Sequence, residues 1–313
     1  MTTEHDTLGL ATGAEVLRGM PEDVLGKAIE ALGDPNLPDA AVVHDFRKAM
    51  KRWRAMLRLL EPFLGEGGVA LHDEARHLAR TLAGARDVRA ALDALADLPA
   101  DASLSERSRT TIRARLEHLS ASAETDSIAA ASRERLKSAL SYAAQAAQRW
   151  PLERIGFSDI ADELARSYRR TRDAIPDDWF SADAAELHEL RKRVVAHRHQ
   201  MELVVPLWPR FGKLWVNEAQ RLRDRLGQYQ DLDVLTRLSG AHQPLAPWRS
   251  RLVPLIAARQ RDHVIASARL AGRLFAEKPR AFRRRLLALW EHRTEPTEAA
   301  EAPLPDDSAA DQA

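Results

Sequence analysis

There is no cysteine anywhere in the 313 residues, which excludes disulfides and thiolate metal sites and leaves the compartment open, with a preference for the cytosol. Long apolar runs are missing too. Nothing approaches the roughly 18 residues that a membrane-spanning helix needs, and the first residues lack the basic and apolar regions of a signal peptide. Aromatic residues make up only 5% of the chain, and no segment alternates apolar and polar residues as a half-buried strand would. What remains is helical periodicity almost from end to end, in a chain whose 45% hydrophobic content is ample for a substantial core. The expectation is an all-α, soluble, cytoplasmic protein.

Catalytic signatures are also absent. No G-x-x-x-x-G-K-[ST] phosphate loop occurs, and His188-Glu189 is followed by Lys192 where a zinc helix of the H-E-x-x-H type needs its second histidine. His72-Asp73 and Asp231-x-Asp233 lack the further ligands that a metal-dependent phosphohydrolase requires. No cofactor, metal or enzymatic activity is therefore expected.

Charge is balanced only in total. The net charge is +1, but from Thr294 onward there are six acids and no Lys or Arg, so residues 1–293 carry +7. The acidic tail, taken as 293–313, has the composition of a disordered extension, and residues 1–19 read as a flexible start.

The organising stretch is 44–60, HDFRKAMKRWRAMLRLL. At 100° per residue, His44, Arg47, Lys48, Lys51, Arg54 and Arg58 share about a third of a helix circumference, while Phe46, Met50, Trp53, Leu57 and Leu60 share the opposite side. Exposed helix faces ordinarily mix signs, because like charges one turn apart repel by a few tenths of a kcal/mol. Asp45 is the sole acid here.

The same text returns 144 positions later, placing His188, Arg191, Lys192 and Arg198 on His44, Arg47, Lys48 and Arg54, and the register continues as Leu82, Asp87 and Val88 on Leu226, Asp231 and Leu232. A repeat this long reads as a duplicated unit. The second copy is less basic, with Val195 for Lys51 and Glu202 for Arg58, so the first should carry more of any anion binding. Helices are expected at about 21–31, 44–60, 69–98, 105–121, 127–150, 158–174, 182–205, 211–238, 248–271 and a last one ending at 290. Breaks fall at the prolines and glycines between them, with Ser158 or Asp159 as a cap. Long helices with short connections imply antiparallel bundles.

HDFRKAMKRWRAMLRLLEP, LHELRKRVVAHRHQMELVVP, SYRRTRDA and the paired ARD and QDLDVL endings resemble the CHAD family, the conserved histidine α-helical domain, over about 20–292. That resemblance implies two pseudo-twofold-related four-helix bundle units, about 20–151 and 155–292, around a basic central groove or pore. It further implies binding of inorganic polyphosphate without catalysis, and association with polyphosphate granules. The companion E-x-E-x-K tunnel domain is not found here, so the chain reads as a stand-alone module. The family's histidines map onto His44 and His188. Its basic positions map onto Arg47, Lys48, Lys51, Arg52, Arg54 and Arg58 in copy one and onto Arg191, Lys192 and Arg198 in copy two, beside His199 in an unusual His-Arg-His run.

Further candidates are Arg76 and Arg80 on the next helix, and Arg169 and Arg172, which share a face of the helix joining the halves. His44 and His188 read equally as ligand contacts or as buried structural groups. Asp87 and Asp231 read as carboxylates that orient an arginine. Six tryptophans (Trp53, Trp150, Trp208, Trp215, Trp248 and Trp290) read as core or seam, which weighs against nucleic acid, a partner that would favour exposed rings between bases. Nucleic-acid binding and metal-dependent phosphohydrolysis stay as alternatives.

Overall fold

The computed structural model describes residue 17 and residues 19–81, 86–100, 103–123 and 130–293. Of the expected flexible start only Leu17, which is buried, and Gly19 are described, and of the acidic tail only Arg293; Leu82 and the side chain of Arg80 lie outside the described residues. Within them the chain is all-α, with ten helices and no β-strand. None of these helices is long and apolar enough to cross a membrane.

Helix α1 (Met20–Gly33) opens on Pro21, Glu22 and Asp23, suited to a first turn with spare N–H groups and positive dipole, and buries Val24, Leu25, Ala28, Ala31 and Leu32. Helix α2 (Asp39–Thr81) contains the organising stretch. Phe46, Met50, Trp53, Leu57 and Leu60 are all buried as expected. The expected stop near Pro62 and Gly65 is a kink: Gly65 has φ 58° and ψ −149°, a conformation open to glycine, after which the helix resumes. The helix expected over 69–98 is thus found as the end of α2 and as α3 (Arg86–Asp97).

Helices α4 (Glu106–Ala123) and α5 (Ala130–Gln148) follow. Trp150 then stacks on Trp53, ring centroids 5.6 Å apart. Helix α6 (Phe157–Arg172) is capped by Gly156, not by Ser158 or Asp159. Asp159 acts from the third helical position, accepting the Gly156 N–H at 2.9 Å. Helix α7 (Ala184–Met201) starts two residues later than expected, because Asp183 and Glu186 form a reciprocal capping box with bonds of 2.8 and 2.9 Å. Helices α8 (Pro209–Leu238), α9 (Arg249–Leu274) and α10 (Pro279–Glu291) complete the described chain.

The apolar interior does not divide at Pro151, where the two expected units would part. One core gathers α1, α2 and α5 with α6, α7, α10, the first part of α8 and the last part of α9. The other joins Ala91, Leu95, Ile112 and Leu116 of α3 and α4 to Leu232, Leu235, Leu252 and Ile256 of α8 and α9. Each core therefore holds helices from both halves. Beside the second, Asp97 of α3 accepts from Arg259 Nε and Nη2 at 3.1 and 2.8 Å and lies 2.6 Å from His263 Nε2.

In the first core, Tyr168 stacks on Phe282 at 4.3 Å beside Trp215, Phe275 and the fully buried His197. Trp215 Nε1 donates to His197 Nε2 at 3.2 Å. Trp208 departs from the core expectation. It is 50% exposed, because it precedes α8 and turns outward onto Phe211.

Candidate functional site

The helices that carry the two basic stripes are neighbours. Helices α2 and α7 pack directly against each other, and Gln200 Nε2 of α7 donates to the buried carbonyl of Ala55 at 3.0 Å. Because the apolar sides of both helices face the core, their cationic sides are carried to the surface. His44, Lys48 and Lys51 are exposed, and Arg47, Arg54 and Arg58 half-buried. On α7, His188 and Lys192 are exposed, and Arg191 and Arg198 half-buried. The alternative of His44 and His188 as buried groups does not match these positions.

Copy one's arginines form a cluster with residues from beyond the kink. Burial is the main cause that pulls the Arg58 guanidinium below the ordinary arginine range, with Arg170 and Arg76 pulling the same way and Glu189 and Glu61 opposing. His72 is likewise lowered, by burial first and then by Arg58, Arg54 and Arg76. Its Nε2 is buried without a hydrogen-bond partner. Kinking α2 at Gly65 allows one helix to contribute Arg54 and Arg58 from before the bend and His72 and Arg76 from after it.

Glu189 answers part of this charge. Its carboxylate takes Lys192 at 2.5 Å and Arg193 at 3.2 Å, and these partners hold it below the usual carboxylate range. Arg193 also donates to the Arg170 carbonyl at 2.8 Å, fastening α7 to the end of α6.

Glu202 answers more. Where a copy of Arg58 would stand, its carboxylate receives Arg52 Nε at 3.0 Å from the other repeat and Arg198 Nη1 at 3.1 Å, with His199 Nδ1 at 3.2 Å. Burial opposes its charge, yet His199, Arg52 and Arg198 hold the carboxyl below its ordinary range. His199 itself is buried, which keeps its imidazole toward the neutral form. Arg52, Arg198 and His199 are thus a joint between repeats as well as candidate ligand groups.

Other expected residues separate. Arg191 Nη1 donates to Gln230 Oε1 of α8 at 3.0 Å, and its guanidinium lies against Gly227, where an added Cβ would come within 2.9 Å of Nη2. Arg172 does not join the stripes through its Nε, which donates at 3.1 Å to the Phe275 carbonyl at the end of α9. Arg169 is exposed. Arg76 lies 3.7 Å from Asp73. Asp87 is exposed, and Asp231 half-buried. His72, Arg170, Arg193 and the counter-ions Glu189 and Glu202 were not among the expected site residues. On α6, Glu163, Arg166 and Arg170 lie along one edge, and the wheel offers that edge and the Arg172 edge equally until packing decides. Among the described residues no group of three or more His, Asp or Glu could hold a metal ion.

The field combines half-buried arginines and a histidine with the counter-ions Glu189 and Glu202, and guanidinium groups can hold phosphate oxygens in planar pairs of hydrogen bonds. Residues 27–240 match the CHAD domain, and the chain belongs to that family. CHAD domains are associated with polyphosphate binding and are generally non-catalytic. No curated protein and no solved structure matches the chain.

Proposed function

We propose that this chain is a non-catalytic module that binds inorganic polyphosphate along the surface shared by α2, α6 and α7. The observation that carries the reading is a cluster of cations from α2 and α6, beside the packed α7. There Arg54, Arg58, His72 and Arg76 share one electrostatic neighbourhood with Arg170, and His72 keeps a buried nitrogen without a partner. His44, Arg47, Lys48 and Lys51 extend that surface along α2; Arg191, Lys192 and Arg198 extend it along α7. Among the described residues no carboxylate cluster that could hold Mg²⁺ is found, and the reading is of a site that holds phosphate chains rather than activates water.

The module spans 20–292 as two repeats, about 20–151 and 155–292. In support, a shift of 144 carries α4 onto 250–267, within Arg249–Leu274, and carries α5 onto 274–292, over Pro279–Glu291. A cytoplasmic protein that associates with polyphosphate granules fits this reading. The test is titration with polyphosphates of several lengths, with duplex DNA as competitor. By analogy with nucleic acids, about six phosphate contacts weaken affinity by roughly three orders of magnitude between 50 and 200 mM salt. Affinity that stays flat over this range, or polyphosphate that is stripped by DNA at equal phosphate, defeats the proposal.

A further inference from the structure

The cationic excess of the chain lies outside the family signature. Residues 27–240 contain 34 Lys and Arg against 32 Asp and Glu, a net of only +2. Residues 249–293, which follow the matched segment, contain 12 against 3, a net of +9. Helices α9 and α10 occupy this stretch.

Pairing sharpens the contrast. Carboxylates here are committed to arginines that hold the fold together: Asp97 and Asp262 to Arg259, Asp162 to Arg283 and Glu277 to Arg285, the last guanidinium lying over Trp215 at 4.7 Å. Arg251, Arg261, Arg269 and Arg273 of α9 and Arg280 and Arg284 of α10 are exposed, and among the described residues none of the six has a hydrogen bond or ion pair. On the helical wheel Arg251, Arg269 and Arg273 fall within about 40° of one another, with Arg261 about 80° to one side, along about 33 Å of helix. Arg269 with Arg273, and Arg280 with Arg284, are like-charged neighbours one turn apart, an arrangement that costs the free protein a few tenths of a kcal/mol each.

Resting on the reading above, we infer that this α9–α10 face is a second binding surface for linear polyphosphate, separate from the stripes of α2 and α7 and engaged by chains long enough to reach beyond them. A bare phosphate chain suits the face better than nucleic acid. The exposed ring beside it, Phe180, shares a cleft with Arg269 but stands next to Asp177 and Asp178, which would repel the phosphates of any base stacked there.

The experiment uses the full chain with Arg269→Gln, Arg273→Gln, Arg280→Gln and Arg284→Gln together, titrated with short and long polyphosphate and with single-stranded DNA at several salt concentrations. Affinity for long polyphosphate should fall by roughly tenfold or more, and the salt slope should drop by about 3 to 4, one increment per lost contact. Affinity for short chains should change less, and the melting temperature should hold or rise. Long-chain affinity and slope equal to wild type overturn the inference, and so does a loss confined to DNA. If the four-residue variant melts early, the two pairs are tested apart, Arg269→Gln with Arg273→Gln and Arg280→Gln with Arg284→Gln. Each pair should then lower the slope by about 1.5 to 2, half of the four-residue drop, and no loss in either pair overturns the inference. Arg47→Ala with Arg54→Ala separates the two readings: a loss there with wild-type behaviour in the α9–α10 variant leaves the stripes as the sole site, and the reverse moves binding to α9–α10.

Discussion

Glu202→Gln tests whether the joint between repeats is also part of the binding surface. The carboxylate receives Arg52, Arg198 and His199 at 3.0 to 3.2 Å, and its side chain is 22% exposed. Hydrogen bonds to charged groups contribute about 1.5–3 kcal/mol each, and glutamine retains one acceptor oxygen but turns an N–H toward the cations, so a loss of about 2–3 kcal/mol is expected. In a domain of this size that corresponds to roughly 4–12 °C in Tm. The sign with pH follows from the lowered Glu202 carboxyl: its stabilisation is present above its ordinary value of 4.5 and is lost as pH falls through the lower folded value, a loss the glutamine variant should not show. Binding should move the other way. Freed of their counter-ion, Arg52 and Arg198 can take phosphate, which should strengthen binding and steepen the salt slope by about 1 to 2. Differential scanning fluorimetry and titration on the same preparations read both effects. A lower Tm with unchanged affinity and slope would refute the assignment of Arg52 and Arg198 to the ligand surface. Glu202→Arg restores the copy-one pattern in sequence but sets a cation beside Arg52 and Arg198, so it should melt below Glu202→Gln.

Arg47→Ala with Arg54→Ala should lower the salt slope of polyphosphate binding by about 2 with little change in Tm, whereas Arg191→Ala with Arg198→Ala should lower Tm as well, since Arg191 is bonded to Gln230 and Arg198 to Glu202; paired titrations and melts compare them. Burial pushes the His197 imidazole down to about 3 from its ordinary 6.5, so the stability due to its neutral form is present above 6.5 and erodes as pH falls through that window. Tm measured from pH 7 to 5 should fall in wild type and fall less in His197→Asn, which can still accept from Trp215. Gly227→Ala puts a Cβ within 2.9 Å of Arg191 Nη2, a flexible end that can move, and improves helix propensity by about 1 kcal/mol; Tm should hold or rise while the Arg191–Gln230 bond is lost, and a large Tm fall shows that Arg191 cannot leave its seat. Removing residues 294–313 takes six acids from the chain just after α10, so polyphosphate affinity at fixed salt should rise, and titration of the shortened protein checks it.

Much of the fold was legible because each helix carries its own period. Phe46, Met50, Trp53, Leu57 and Leu60 were read as one face, and all five are buried. Misses occurred where a local rule had two outcomes. A proline followed by glycines can end a helix or bend it, and α2 bends at Gly65 because Leu71 and Ala75 beyond it still reach the same core. Asp159 can cap a helix as its first residue or reach back from its third position, and Gly156 decides for the second. Allocation of helices to cores was beyond a reading of local period, since α3 and α4 bury their apolar sides against α8 and α9 from the other half.

The site was legible as charge but not as pairing. A helical wheel places a cation on a face; it does not say which carboxylate from another helix will reach it. Arg52 meets Glu202 across 150 positions of sequence, and Arg172 is held to the Phe275 carbonyl across 103. One clue was available for the second: Tyr168, 0% exposed, lies one turn before Arg172 and turns that side of α6 toward the core. Glu189 and Glu202 neutralise part of the α7 stripe, so on the proposed function its affinity would depend on how readily phosphate displaces protein carboxylates from Lys192, Arg198 and Arg52. The exposed arginines of α9 and α10 have no carboxylate partner among the described residues. On the two proposals together, a polyanion would meet two kinds of cation on one protein, one requiring exchange and one open, and each contact with the open kind should weigh more heavily in the first encounter at low salt.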